Sequence, residues 1–343
     1  MTRATRYLIM ATIVSYALGV ASAAAQTPGT VPILVGAGDI SICSNDNDEA
    51  TAALLDEIDG TVFTLGDNVY EDGSAKQFAD CYGPTWGRHK SRTRPSVGNH
   101  EYHTSGAAGY YGYFGASAGD PTKGYYSYEL GSWHVIAINS NCGEVGGCEK
   151  DSTQEQWLRA DLAANLSMCT LAYWHHPRFS SGSEHGNTAD MQPIWQALYD
   201  HGADVVLSGH EHNYERFAKQ TPGGTADPAY GIREFIVGTG GKSLYGFGAP
   251  RPNSELRNSD TYGVLKMTLH DTSYGWEFVP VAGETFTDSG SDVCHEAPPP
   301  DGGVTDPLPA DTTKGVAWGW FIAAAAIAAA AVVAALAAAR FRS

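Results

Sequence analysis

The sequence predicts an α/β fold, a parallel sheet with covering helices, followed by a β-rich final third. Two observations carry this. From about residue 33 to 207, short β-branched apolar runs alternate with longer stretches whose apolar residues share one helical face. From 230 to 282 apolar runs follow one another with turns between, which reads as antiparallel strands. The composition agrees: 43% of the 343 residues are hydrophobic and 17% charged, enough for a sizeable core and too apolar for a disordered chain.

Taken in order, 33–38 reads as a buried strand, and Asp46 is placed to cap a helix over 47–58 in which Ala52, Leu55 and Ile58 share a face. Strands are expected at 61–65, at 94–97 with Pro95 at its entry, and at 133–139. A helix follows near 153–166, then a strand at 170–174, a helix at 191–199 and a strand at 204–207. The final third holds runs at 235–237, 264–269 and 276–281.

The two ends read as address and anchor. Residues 1–25 carry Arg3 and Arg6, an apolar run over 7–20 and small residues ending Ala23-Ala24-Ala25, the order of a secretory signal peptide. Residues 316–339 hold no charge for about 24 positions, with Trp318 and Trp320 at one edge and Arg340 and Arg342 beyond the other. That is the pattern of a transmembrane helix with a short cytoplasmic tail over 340–343. Residues 297–315, rich in Pro, Gly and Asp, form a linker, so the functional domain spans 26–296 and is expected outside the cell, held at a membrane surface.

Six cysteines fit export to an oxidising compartment. They allow fifteen pairings; Cys142–Cys148, bracketing a Gly-rich loop, and Cys43–Cys81 are the simplest to close. None has Cys-x-x-Cys spacing, so all six are read as structural. Lys and Arg number 21 against 38 Asp and Glu, a net charge of −17, and they are scattered. A nucleic-acid scaffold partner is therefore not expected. A small phosphate ester is not excluded, because metal ions supply charge that a side-chain count does not show.

The chemistry sits at five strand ends. They are Gly38-Asp39, Gly66-Asp67-Asn68-Val69-Tyr70, Gly98-Asn99-His100-Glu101, Trp174-His175-His176-Pro177 and Gly209-His210-Glu211-His212. Open α/β sheets bind ligands beyond the carboxyl ends of their strands, and Gly before a polar group lets backbone approach a ligand closely. Carboxylates and an amide oxygen are hard ligands and imidazoles borderline ones, so the set suits two adjacent cations sharing one carboxylate.

This order of motifs resembles the calcineurin-like metallophosphoesterases, and among them the purple acid phosphatases in their small form, without an N-terminal β domain. The resemblance covers about residues 33–282. It implies a four-layer α/β/β/α sandwich with mixed sheets. Many metallophosphoesterases begin Asp-x-His, but position 41 is Ser41, while Tyr70 stands where purple acid phosphatases place a metal-bound phenolate. The resemblance thus puts Fe(III) on Asp39, Asp67, Tyr70 and His212. It puts Fe, Zn or Mn on Asp67, Asn99, His175 and His210, with Asp67 bridging.

Two further family histidines match His100 and, ten residues after His175, His185; both would contact the phosphate or the leaving group. Position 184, where the family keeps another His, is Glu184. Glu101 is expected to fix a ligand imidazole from outside. His176 is expected to point away from its neighbour His175, as successive side chains do on extended backbone, and to stand just outside the ligands or pack as an ordinary histidine. Arg216 is read as a structural ion pair rather than a phosphate steer.

The implied activity is hydrolysis of phosphate monoesters by in-line attack of a metal-bound hydroxide. The alternatives are a phosphodiesterase or nucleotidase on the same centre, for which 110–114 and 245–247 offer aromatic rings, and a surface metal or phosphate binder with weak turnover.

Overall fold

Along the central strands of this protein, alternate residues serve two different cores. Val135, Ala137, Leu171, Tyr173, Val205, Leu207, Phe235 and Val237 belong to one apolar cluster, while Ile136, Ile138, Ala172, Trp174, Val206 and Ile236 belong to another. A strand turns successive side chains to opposite faces, so such a sheet is covered on both sides. The structure, a computed structural model, describes residues 31–299. The expected signal peptide, transmembrane helix, tail and most of the linker lie outside the described residues. Among the described residues no helix is long and apolar enough to cross a membrane.

In chain order the strands are β1 Ile33–Ala37, β2 Ser41–Ile42, β3 Thr61–Leu65, β4 Val69–Tyr70, β5 Thr93–Ser96, β6 Tyr126–Leu130, β7 Trp133–Ala137 and β8 Cys169–Tyr173. After them come β9 Val205–Ser208, β10 Tyr214–Phe217, β11 Arg233–Val237, β12 Ser254–Asn258, β13 Gly263–His270, β14 Ser273–Pro280 and β15 Ser289–Val293. The helices are α1 Asn47–Glu57, α2 Ala75–Gln77, α3 Ala108–Phe114, α4 Thr153–Ala164 and α5 Gln192–Asp200.

A six-stranded sheet has the order β15-β14-β13-β1-β3-β5, and a seven-stranded sheet the order β12-β10-β11-β9-β8-β7-β6. Both are mixed: β1, β3 and β5 are parallel, as are β7, β8, β9 and β11, with antiparallel strands added at the edges. The two sheets share one cluster between them. Leu158 and Leu162 of α4, with Ile194, Trp195 and Leu198 of α5, cover the far face of the second sheet. Ala52 and Leu55 of α1, the crossover from β1 to β3, join the cluster of the first sheet. Helix, sheet, sheet, helix is the result.

Two expectations are corrected. The run at 235–237 is not purely antiparallel: β11 pairs parallel with β9 and antiparallel with β10. Asp46 precedes α1 without a side-chain cap bond; its carbonyl instead accepts the amides of Glu49 and Ala50. The aromatics at 110–114 serve as ordinary loop packing, with Tyr110 and Phe114 buried against Phe78 and Tyr82. Three disulfides join Cys43–Cys81, Cys142–Cys148 and Cys169–Cys294.

Candidate metal centre

Three of the five strand ends turn through left-handed backbone. Asp39, Asp67 and His210 have φ of 58°, 46° and 69°, left-handed backbone that costs a non-glycine residue roughly 1–2 kcal/mol and that Asp and His tolerate best. The surrounding structure over-determines these turns. The His210 N–H donates to Asp39 Oδ2 at 2.9 Å, and the His100 N–H to Asp67 Oδ1 at 2.9 Å. Gly98 passes so close to Asp67 that a Cβ there would lie 2.1 Å from Oδ1. No larger residue fits.

The side chains gather in two groups. Around His175 Nε2, the nearest atoms are Asn99 Oδ1 at 2.9 Å, His210 Nδ1 at 3.1 Å and Asp67 Oδ2 at 3.3 Å. Around the Tyr70 hydroxyl are Asp39 Oδ1 at 2.8 Å and His212 Nε2 at 3.1 Å, these two 3.4 Å apart. Donors at right angles around a cation with bonds of about 2.1 Å lie roughly 3 Å from one another. The separations match. The imidazoles are set for it: His175 Nδ1 donates to the Leu65 carbonyl and His212 Nδ1 to that of Ser243, both at 2.7 Å, which leaves each Nε2 facing inward. Asp39 and Asp67 are buried, and among the described residues no Lys or Arg pairs with either. Two buried carboxylates faced only by imidazoles are costly unless a cation compensates them. Asp39, Asp67 and His175, and likewise His175, His176 and His210, are groups able to hold a metal. Cys169, Asp204 and Cys294 form a third such cluster, but its cysteines are bonded to each other.

Electrostatics follow from burial and from this pairing. Burial raises the Tyr70 phenol well above its usual range, and Asp39 and Asp67 raise it further, so only a strong positive charge would ionise it. Burial works against charge on His175, but Asp67 outweighs it and lifts the imidazole to about 9.

His100 Nδ1 donates to the Glu71 carbonyl at 2.6 Å, and its Nε2 lies 3.9 Å from Asp67 Oδ2. The His185 ring stacks on His210 at 4.0 Å. Two expectations differ here. Glu101 touches no imidazole; it is fully buried and accepts the backbone N–H groups of Asp67, Asn68, Val69 and Gly98 at 2.7–3.3 Å, tying two site loops together. Burial, with Asp67 nearby, raises its carboxyl to about 7. His176 does not point away, because it lies past the end of β8 where strand alternation no longer applies. Its ring is 4.3 Å from that of His210, and its Nδ1 meets Ser140 Oγ at 2.8 Å. Arg216 is a structural pair, bonded to Asp288 and Glu255.

Two more residues border the groups: Tyr245, offered by the sequence only among the rings at 245–247, and Lys242, which the sequence reading did not single out. Tyr245 stacks on His212 with ring centroids 3.9 Å apart. Lys242 places Nζ 4.4 Å over the Tyr70 ring and 2.6 Å from Glu71 Oε1. Lys242 follows β11, so the strand-end rule that found the other loops would have found it, had β11 been read as parallel.

A family model for calcineurin-like phosphoesterases matches residues 34–214. The chain belongs to that family. Among curated relatives of this chain, purple acid phosphatase 15 of Arabidopsis thaliana is 24% identical over 301 residues, covering 76% of the chain and 53% of the relative. Purple acid phosphatase 22 of the same plant is 33% identical over 153 residues, covering 42% and 34%. The solved purple acid phosphatase from yellow lupin (Lupinus luteus) seeds is similar in fold, with a TM-score of 0.60 at 20% identity over 76% of this chain and 53% of that one. The chain thus spans about half the length, or less, of the relatives it matches.

Proposed function

We propose that this phosphoesterase is a dinuclear-metal phosphatase of purple acid type that hydrolyses small phosphate monoesters. Asp39, Tyr70 and His212 would hold one ion, Asn99, His175 and His210 the other, with Asp67 shared. The observation that carries this reading is the division of the side chains into two groups with neighbouring donors 2.8–3.4 Å apart. Bound there, two cations supply a water acidic enough to attack near neutral pH and neutralise charge growing on the phosphoryl group. The chain does the rest. The carbonyls of Leu65 and Ser243 hold two imidazoles in the tautomer that faces inward. The bond from His100 Nδ1 to the Glu71 carbonyl leaves Nε2 to meet a phosphate oxygen. His185, stacked on the outer face of His210, would give a proton to the departing alkoxide.

The Tyr70 phenol favours Fe(III) in its group, as Tyr ligation of ferric iron does elsewhere, with Fe, Zn or Mn in the other. Protein purified without added metal should contain about two ions per chain and cleave p-nitrophenyl phosphate faster than its bis-ester, while Asn99→Ala and His210→Ala should lose at least about 100-fold in kcat. A visible absorption band lost in Tyr70→Phe supports iron. A chain that binds no metal, or that turns over neither ester after loading with iron, zinc or manganese, sinks the reading. Export and anchoring belong to the same proposal, supported by the pattern at 1–25 and 316–339 and by three disulfides.

A further inference from the structure

The segment after β9 divides its side chains between two tasks. His210 and His212 serve the centre, while Glu211, Asn213 and Glu215, alternate residues between and after them, are fully buried without joining it. Both of these carboxylates catch the loop 180–186. Glu215 Oε2 accepts the Ser181 N–H at 2.7 Å, and its Oε1 accepts the Ser254 hydroxyl at 2.5 Å. Glu211 Oε1 accepts the N–H groups of His185 at 2.7 Å and Gly186 at 2.5 Å. Its Oε2 is buried with no hydrogen-bond partner among the described residues. The loop lies hard against this carboxyl, since a Cβ on Gly182 would come 2.0 Å from Glu211 Cδ.

The rest of the loop is laced to the segment 246–248, with the Ser183 N–H on the Gly246 carbonyl at 3.1 Å and the Gly248 N–H on that of Ser181 at 2.8 Å. At His185 and Gly186, the bonds to Glu211 are the backbone's only hydrogen bonds among the described residues. The exposed His185 ring makes no hydrogen bond of its own; it rests on His210 at 4.0 Å and stands 6.0 Å from Tyr245. Its position is therefore inherited from the backbone, and the backbone's from Glu211.

We infer that Glu211 is a positioning residue: by holding the amides of His185 and Gly186 it keeps the His185 ring over His210, where the ring serves the leaving group. This rests on the phosphatase reading above. The Gly-His-Glu-His run thus carries both the ligands and the holder of the leaving-group histidine. A misplaced acid loses most of its advantage, because proton transfer requires hydrogen-bond reach.

The test compares Glu211→Ala, Glu211→Gln, His185→Ala and the Glu211→Ala/His185→Ala double variant on two esters. Glycerol 2-phosphate has an alkoxide leaving group that needs a proton, and p-nitrophenyl phosphate has a phenolate that leaves without one. Glu211→Ala should lower kcat on glycerol 2-phosphate about 10-fold or more, and by less than about threefold on p-nitrophenyl phosphate. His185→Ala should show the same split with a larger loss, the double variant should be no worse than His185→Ala, and Glu211→Gln, which keeps an acceptor oxygen, should recover most of the rate. Metal content and melting temperature are measured alongside, and if Glu211→Ala does not fold, Glu211→Gln with His185→Ala carries the comparison. Equal losses on both esters, or losses that multiply in the double variant, overturn the proposal. A wild-type chain that cleaves neither ester brings down the phosphatase reading itself, and this inference with it.

Discussion

A hydrogen at Gly98 is what lets the Asp67 and Asn99 loops meet. A methyl there would stand 2.1 Å from Asp67 Oδ1 and 2.2 Å from the Asp67 amide nitrogen. Gly98→Ala should therefore cut phosphomonoester turnover by about 100-fold or more while the far-ultraviolet circular dichroism stays that of the wild type. A variant within threefold of wild-type kcat would show that the loops have room to part. Residue identities around the centre were legible because metal ligation is a property of the side chain: Asp, Asn, Tyr and His advertise it wherever they stand. The work of Glu101 and Glu211 was not, because their partners are backbone amides, most of them on loops about 25–35 positions away, and an amide leaves no mark in the sequence.

Among the elements, β7 and α4 are joined by a histidine that serves no site. His134 is buried on β7, with Nδ1 2.8 Å from Glu129 Oε1 on β6 and Nε2 2.7 Å from Asp161 Oδ2 on α4. Burial alone would lower its pKa, but the bonds to Asp161 and Glu129 outweigh it and raise the imidazole above its ordinary value. A group whose pKa is higher in the folded state contributes fully below its unfolded value, near 6.5, and loses that contribution as pH rises through the folded one. His134→Ala should therefore cost about 1.5–3 kcal/mol at pH 5.5 and distinctly less at pH 9 in urea unfolding. An equal cost at both values would reduce His134 to packing.

The buried strands were readable at this scale because two-sided cover demands continuous apolar runs, as in β8 and β9. The edge strands β6, β12 and β15 were missed for the converse reason. Tyr-Ser-Tyr-Glu-Leu, Ser-Glu-Leu-Arg-Asn and Ser-Gly-Ser-Asp-Val are partly exposed, and sheet neighbours rather than their own pattern make them strands.

At the scale of the whole molecule, the Cys169–Cys294 disulfide ties the start of β8 in one sheet to the residue after β15 in the other, across 125 positions. In the chain-entropy view such a closure contributes about 5 kcal/mol, against about 2 kcal/mol for Cys142–Cys148, only 6 positions apart. Replacing Cys169 and Cys294 together by Ser should lower the melting temperature well beyond the loss from the Cys142/Cys148 pair, and equal losses would contradict the entropic account. The α/β class, the order of the buried strands and the chemistry waiting at their ends could be read from the chain alone, since periodicity and side-chain type are local properties. The direction of β11, and with it Lys242, became visible only on folding, as did the turn of His176 inward and the carboxylates of Glu101 and Glu211 that hold the site loops. Each of those depends on which distant backbone lies alongside, and only the folded chain brings those partners within hydrogen-bond reach.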